Sequence, residues 1–222
     1  MSQEKWTSVD QYINHLFDPT DPILDAALQA SRAAGLPEIN VAPNQGKLLQ
    51  LLAQSHGART ILEIGTLGGY STIWLARALP AEGQLVTLEF EPKHAEVARA
   101  NFVRAGLAGK IELRLGKAAD HLAQLVAEGR APFDFIFIDA DKESYPDYLA
   151  WSLKLSRRGT VIIADNVVRH GEITDAQSAD SRVQGARRFN ELLAAEPRVS
   201  ATILQTVGSK GYDGFAIARV IA

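Results

Sequence analysis

From residue 58 onward, short apolar runs alternate with longer segments of helical spacing. The runs at 60–64, 84–89, 110–115, 134–138 and 159–164 are bounded by Gly, Pro or charge and predict buried parallel strands. Between them, 92–105 opens on Pro92 and puts Ala95, Ala98 and Phe102 on one face, which predicts a helix. Such alternation predicts an α/β architecture, a parallel sheet covered by helices. Near the end the pattern changes to two strand-like runs, 198–205 and 212–220. The link between them, Val207-Gly208-Ser209-Lys210-Gly211, is short enough for a hairpin, so an antiparallel pair should close one edge of the sheet. Before residue 58 the periodicity is helical at 7–17, 22–34 and 43–56, with breaks at Asp18-Pro19 and Leu36-Pro37. These helices have no strand of their own and are expected to cover a substrate opening or a partner subunit. The chain thus reads as one domain, with 1–57 a helical cap and 58–222 the α/β core, where any catalytic groups are expected. The polar stretch 168–181 is expected to be a loop bordering the site.

Composition narrows the function. At 222 residues, 46% hydrophobic and 22% charged, the chain has material for a sizeable core. A net charge of −3 provides no footprint for nucleic acid or for an anionic membrane. The absence of cysteine excludes disulfides, thiolate catalysis and Cys-ligated metals, and suits a cytoplasmic protein. The N-terminus lacks the basic and apolar regions of a signal peptide, and no run approaches transmembrane length.

Two apolar runs end in acid. Phe135-Ile136-Phe137-Ile138 leads into Asp139-Ala140-Asp141-Lys142, and Val161-Ile162-Ile163-Ala164 leads into Asp165-Asn166. Carboxylates at strand ends lie at the sheet edge where open α/β folds bind ligands. Asp139, Asp165 and Asn166 offer oxygen donors only, which suits Mg²⁺, Mn²⁺ or Ca²⁺. A single Asp at a strand end is as readily a cap, but two such ends with Asn and Lys beside them favour a cation site. Lys142, if the chain turns after Asp139, returns toward that cation, whose charge would favour its neutral form and make it a general base. Asp141 reads as a cap or a solvated side chain. Arg169-His170, directly after this cluster, is a candidate for substrate contact, and Trp6 for lining an opening.

A third feature precedes these. Leu62-Glu63-Ile64-Gly65-Thr66-Leu67-Gly68-Gly69-Tyr70-Ser71 runs from a strand through a glycine loop into a predicted helix at 72–79. Glu89 ends the next strand, where a carboxylate can accept both ribose hydroxyl protons, which implies an adenosine-containing cofactor. The second glycine of a nicotinamide fingerprint is missing, and Glu63 would repel a pyrophosphate. A cationic cofactor such as S-adenosylmethionine fits better.

These motifs, in order, resemble the cation-dependent O-methyltransferases, the family of the caffeoyl-coenzyme A and catechol O-methyltransferases, in its bacterial branch. The segment Asn40–Leu49, Gly185-Ala186-Arg187-Arg188-Phe189-Asn190 and Asp213-Gly214-Phe215 extend the likeness to about residues 20–222. The resemblance implies a class I methyltransferase fold: a Rossmann-like, seven-stranded, mostly parallel sheet with one antiparallel strand and helices on both faces. It implies that Val41, Glu63, Gly65, Thr66, Ser71, Glu89, Ala118 and Asp139 contact S-adenosylmethionine. It also implies that Asp139, Asp165 and Asn166 hold the divalent cation, that Lys142 is the base, and that the protein is a homodimer. The reaction expected is O-methylation of a catechol-like small molecule. Methylation of a hydroxylated tRNA uridine is the nearest alternative, kept open by basic groups such as Arg157-Arg158, Arg182 and Arg187-Arg188. A nicotinamide-dependent oxidoreductase is disfavoured by the glycine loop. No aromatic gate in 168–181 or the N-terminal helices matches a plant or animal enzyme.

Overall fold

A computed structural model describes residues 2–17 and 21–222. The break expected at Asp18-Pro19 lies outside the described residues. Helices α1 (Gln3–Phe17), α2 (Pro22–Ala33) and α3 (Pro43–His56) precede the first strand. Then β1 (Thr60–Ile64), α4 (Tyr70–Ala78), β2 (Gln84–Glu89), α5 (Pro92–Arg104), β3 (Ile111–Leu115), α6 (Ala118–Ala127), β4 (Phe133–Ile138), α7 (Tyr145–Lys154) and β5 (Ser156–Ala164) alternate. Helix α8 (Ser181–Ala195) leads into β6 (Val199–Gly208) and β7 (Gly211–Val220).

The strands form one seven-stranded sheet in the order β3-β2-β1-β4-β5-β7-β6. Parallel pairing runs from β3 through β5, and β7 is antiparallel to both neighbours. Gly208 pairs with Gly211, so Ser209 and Lys210 form the hairpin turn expected there. Winding starts at β1 and proceeds outward on both sides. The adjacent ends of β1 and β4 are therefore the switch point, where open sheets of this kind leave a crevice.

Period-2 alternation sorts the sheet's side chains into two cores. Leu62, Ile64, Ile136, Ile138 and Ile162 pack with α6, α7 and α8 on one face. Ile61, Leu85, Phe135, Phe137 and Ile163 pack with α2, α3, α4 and α5 on the other. Phe135 through Ile138 are all fully buried, so β4 reads as a continuous apolar run because both of its faces are covered. Helix α1 stands apart from both cores and rests on β6 and α3.

Element boundaries differ from the sequence expectation at a few ends. Helix α1 begins at Gln3 rather than residue 7, because the Ser2 carbonyl accepts from Lys5 and Trp6 N–H and starts the first turn. Helix α4 begins at Tyr70, since Gly69, at φ 82°, turns the chain and accepts from Ile73 N–H. The loop expected at 168–181 contains short turns of 3₁₀ type within Arg169–Thr174, broken by a kink at His170 and Gly171. Among the described residues, no helix is long and apolar enough to cross a membrane.

Candidate functional site

The site is built where β1 and β4 end side by side. Gly65 follows β1 at φ 99°, and a Cβ there would lie 2.1 Å from the Asp139 carbonyl oxygen. A glycine is required both by the backbone angle and by the contact. The turn continues through Leu67 and Gly69, both left-handed, into α4. Glu89, at the end of β2, holds this loop: Oε2 accepts from Leu67 N–H at 2.7 Å and Thr66 N–H at 3.2 Å. Its other oxygen accepts from Glu91 N–H at 2.8 Å, with His94 Nδ1 at 3.4 Å.

A cavity of about 880 Å³ opens over this edge. Val41, Gly65, Thr66, Ser71, Glu89, Ala118 and Asp139 all line it, as does Lys142. Its size and apolar lining with a few polar groups suit a cofactor. The cradle without a side chain at Gly65 and the acid at Glu89 suit an adenosine-containing one.

Glu63 is the exception among the residues expected to touch the cofactor. It is fully buried and does not line the cavity. Its carboxylate accepts from Ser71 Oγ and Thr87 Oγ1, each at 2.7 Å, and from the Thr72 hydroxyl. Burial pushes its pKa up to about 7; the three hydroxyls oppose this, and the charge of Asp139 adds to it. Glu63 therefore stands behind Ser71, which does reach the cavity. The sequence pattern placed Glu63 at a strand end without showing which way its side chain points.

The two acidic strand ends lie next to one another. Asp139 N–H donates to Ile64 O and Asp165 N–H to Ile138 O, both at 2.9 Å, so each Asp occupies the last rung beyond its strand. Asn166 follows in a left-handed conformation at φ 54°. Asp165 is buried; Oδ1 accepts from Asn166 N–H at 2.8 Å and Oδ2 from Gln45 Nε2 at 2.7 Å. Its pKa is raised to about 7, first by burial and then by the charge of Asp139. Two mutually repelling carboxylates with one amide beside them form an oxygen donor set that fits a hard divalent cation. Among the described residues no three His, Cys, Asp or Glu side chains converge in a metal-binding group, so such a shell depends on the Asn166 amide.

Lys142 lies against this cluster. Nζ donates to Asp139 Oδ1 at 2.9 Å and to Tyr145 Oη at 2.7 Å. Burial would lower its pKa, but the Asp139 charge and the Tyr145 oxygen outweigh it and hold the group as an ammonium. Tyr145 Oη in turn lies 2.9 Å from Asp165 O and 3.2 Å from Ile138 O, joining the ends of both strands. Asp141 is exposed at the rim and accepts from Tyr148 Oη at 2.5 Å.

A second cavity, about 520 Å³, lies on the other side of Asn166. Asp165, Gln45 and His170 line it, while Asn166 and Arg169 line both cavities. Trp6 lines neither. Gln45 and Tyr145 escaped the sequence reading. Gln45 stands inside the Asn40–Leu49 segment, the third residue of α3, with nothing in sequence linking it to Asp165. Tyr145 was findable, since it follows Lys142 by one helical turn.

The strand order, the glycine loop at the switch point and the single antiparallel strand define a class I S-adenosylmethionine-dependent methyltransferase fold. Within that class, the sequence profile described as O-methyltransferase matches residues 18–221, and the chain belongs to this family. It is 57% identical over 220 residues to the catechol O-methyltransferase of Niastella koreensis, spanning 99% of this chain and 100% of that protein. The O-methyltransferase from Bacillus cereus, solved in complex with SAH, superposes with a TM-score of 0.97 at 62% identity, covering 99% of this chain and 100% of that one. TomG from Streptomyces achromogenes, an O-methyltransferase involved in tomaymycin synthesis and solved in complex with SAM, gives 0.96 at 52%, covering both chains fully.

Proposed function

We propose that the protein transfers a methyl group from S-adenosylmethionine to one hydroxyl of a catechol-like small molecule and that the reaction requires a divalent cation, Mg²⁺ first among candidates. The observation that carries this reading is the pair Asp139, half-buried, and Asp165, buried, side by side with Asn166 between the two cavities. The catechol O-methyltransferase of Niastella koreensis and the SAH and SAM complexes of the two structural relatives support it.

In this reading the larger cavity takes the cofactor and the smaller one the acceptor. Val41, Gly65, Thr66, Ser71, Glu89 and Ala118 bind and orient the cofactor, which supplies a sulfonium methyl. Asp139, Asp165 and Asn166 would hold the cation, which would supply Lewis acidity toward an acceptor hydroxyl. Gln45 and Tyr145 fix the Asp165 side chain and backbone from either side. Lys142 Nζ would take up the hydroxyl proton only once the Asp139 charge that holds it as an ammonium is offset and its own proton released. Burial favours its neutral form and the Asp139 charge opposes it, so the base role depends on how fully that charge is neutralised. The protein's main contribution is alignment of the acceptor oxygen with the methyl group.

Residues 1–57 serve in this proposal as the cap of a single methyltransferase domain, since Glu38, Ile39, Asn40 and Val41 border both cavities. A homodimer is proposed across α1, α3 and β6, where Tyr12, Leu16, Leu51, Leu204 and Val207 expose apolar surface. Light scattering should return twice the chain mass.

The direct test uses labelled S-adenosylmethionine with catechols and with unmodified and hydroxylated RNA, with Mg²⁺ or with chelator. Methylation of catechols that stops in chelator is expected. Asp165→Ala should lower turnover by about 10³-fold or more, on the scale of losing a catalytic cation, while cofactor binding by calorimetry stays within a few-fold. Full activity of either sample in chelator would overturn the cation requirement.

A further inference from the structure

Among the described residues Arg169 is the basic side chain common to the two cavities; of the other basic groups of the smaller cavity, His170 and Lys210, Lys210 points its ammonium at the Glu38 carbonyl. Its surroundings are unusual for an arginine. The backbone is left-handed at Arg169, φ 51°, and again at His170, φ 56°. Two successive non-glycine residues in this region cost about 1–3 kcal/mol each and persist where neighbours over-determine them. Asp213 does so: its Oδ1 accepts from Val168 N–H at 3.0 Å and Arg169 N–H at 2.8 Å.

The side chain held by this strained turn is incompletely paired. It is 17% exposed, and its nearest carboxylate oxygen, Asp213 Oδ2, stands 3.8 Å from Nη1. Its Nε is buried with no hydrogen-bond partner. A buried N–H of a charged group left without a partner is costly, so the guanidinium, which lines both cavities, is not fully satisfied by the protein. The acids around the smaller cavity are already engaged. Asp10 accepts from Asn44 Nδ2 at 2.8 Å and from Ser209 N–H at 2.6 Å, Asp165 from Gln45 and Asn166, Asp213 holds the turn, and Glu38 pairs with Arg32 at 3.3 Å. Arg169 is thus paired only at 3.8 Å, with Asp213, and keeps a planar fork of donors, the geometry that recognises a carboxylate.

We infer that Arg169 is a specificity-determining residue that binds a carboxylate substituent on the catechol-like acceptor. The inference rests on the proposed acceptor site and narrows its substrate class to dihydroxy aromatic acids. Arg169 positions the ring, and the hydroxyls face the Asp139, Asp165 and Asn166 corner. A site with an unpaired donor discriminates strongly against an analogue that lacks the matching acceptor charge.

The test compares 3,4-dihydroxybenzoate with 3,4-dihydroxybenzamide, which has the same shape without the charge. Wild-type enzyme with Mg²⁺ and S-adenosylmethionine should show a kcat/KM ratio, benzoate over benzamide, of about 10 or more, residing mainly in KM, as expected for a charged hydrogen-bonded contact. Arg169→Met should bring that ratio to about 1, and Arg169→Lys should retain part of it, because a point charge replaces the fork. Calorimetric binding of 3,4-dihydroxybenzoate to enzyme loaded with S-adenosylhomocysteine and Mg²⁺ should weaken in the same order. Should Arg169→Met fail to fold, the wild-type ratio and the lysine variant decide. A wild-type ratio near 1, or an undiminished ratio in either variant, overturns the role of Arg169 while leaving catechol methylation standing. Turnover of neither compound overturns the catechol reading and this inference with it.

Discussion

Gly65→Ala probes the join on which the whole site rests. At φ 99° an alanine enters a region essentially reserved for glycine, costing about 1–3 kcal/mol. Its Cβ would sit 2.1 Å from Asp139 O and 2.7 Å from the Asp139 carbonyl carbon, where contacts under 3.0 Å are essentially never seen. Backbone is on both sides, so relief means parting the ends of β1 and β4, at a further cost of about 1–3 kcal/mol. The total of about 2–6 kcal/mol corresponds to a Tm lower by roughly 5–20 °C for a chain of this size. Relief also moves Asp139 by about 1 Å, and a displacement of that size in a reacting constellation costs on the order of 10²-fold in rate. Gly57→Ala separates the two causes. Gly57 has φ 68° but open space around its Cβ position, so it carries the backbone strain without the collision. Calorimetric Tm and initial rates with S-adenosylmethionine and a catechol should place Gly57→Ala near wild type in rate with a small loss of Tm. A Gly65→Ala enzyme with the Tm of Gly57→Ala and a rate within a few-fold of wild type would refute the reasoning.

Glu63 should make stability fall as pH rises from about 4.5 to about 7. Across that window the folded protein keeps a proton on Glu63 that the unfolded chain has released, so protonation favours the fold, by about 3 kcal/mol over the whole window. Denaturant unfolding in chelator should show this slope reduced in Glu63→Gln, with the part due to Asp165, which acts in the same direction, remaining. An unchanged stability difference between the two proteins at pH 5 and pH 7.5 would sink the assignment. Lys142→Met should lower kcat by about 10²–10⁴-fold, the range for loss of a general base, with cofactor affinity by calorimetry changed only a few-fold. Retention of wild-type kcat across pH 6–9 would remove Lys142 from the proton transfer.

Much of the fold is legible in the chain because burial is periodic. The five parallel strands, Pro92 opening α5 and the hairpin at Ser209-Lys210 all follow from local spacing and turn chemistry. So does the presence of acid at the ends of β4 and β5, where Asp139 and Asp165 stop the apolar runs. Side-chain direction at those edges depends on which strands become neighbours, and that is a tertiary matter. Glu63 and Asp139 occupy paired strand ends, yet one is sealed beneath Ser71, Thr72 and Thr87 while the other faces the cavity. Gly185 appears in sequence as part of a helical motif; in the fold its missing side chain lets α8 approach the Lys142 carbonyl, where a Cβ would stand 2.1 Å away.

The sequence by itself determined the alternating core, the edge where chemistry gathers and the types of donor available there, because all three depend on residue type and local periodicity. Only the tertiary structure decided that Gln45, far away in the chain, braces Asp165, that Tyr145 ties β4 to β5, and that Arg169 stands incompletely paired between two cavities. Those relations depend on distances across the sheet, which no local pattern encodes.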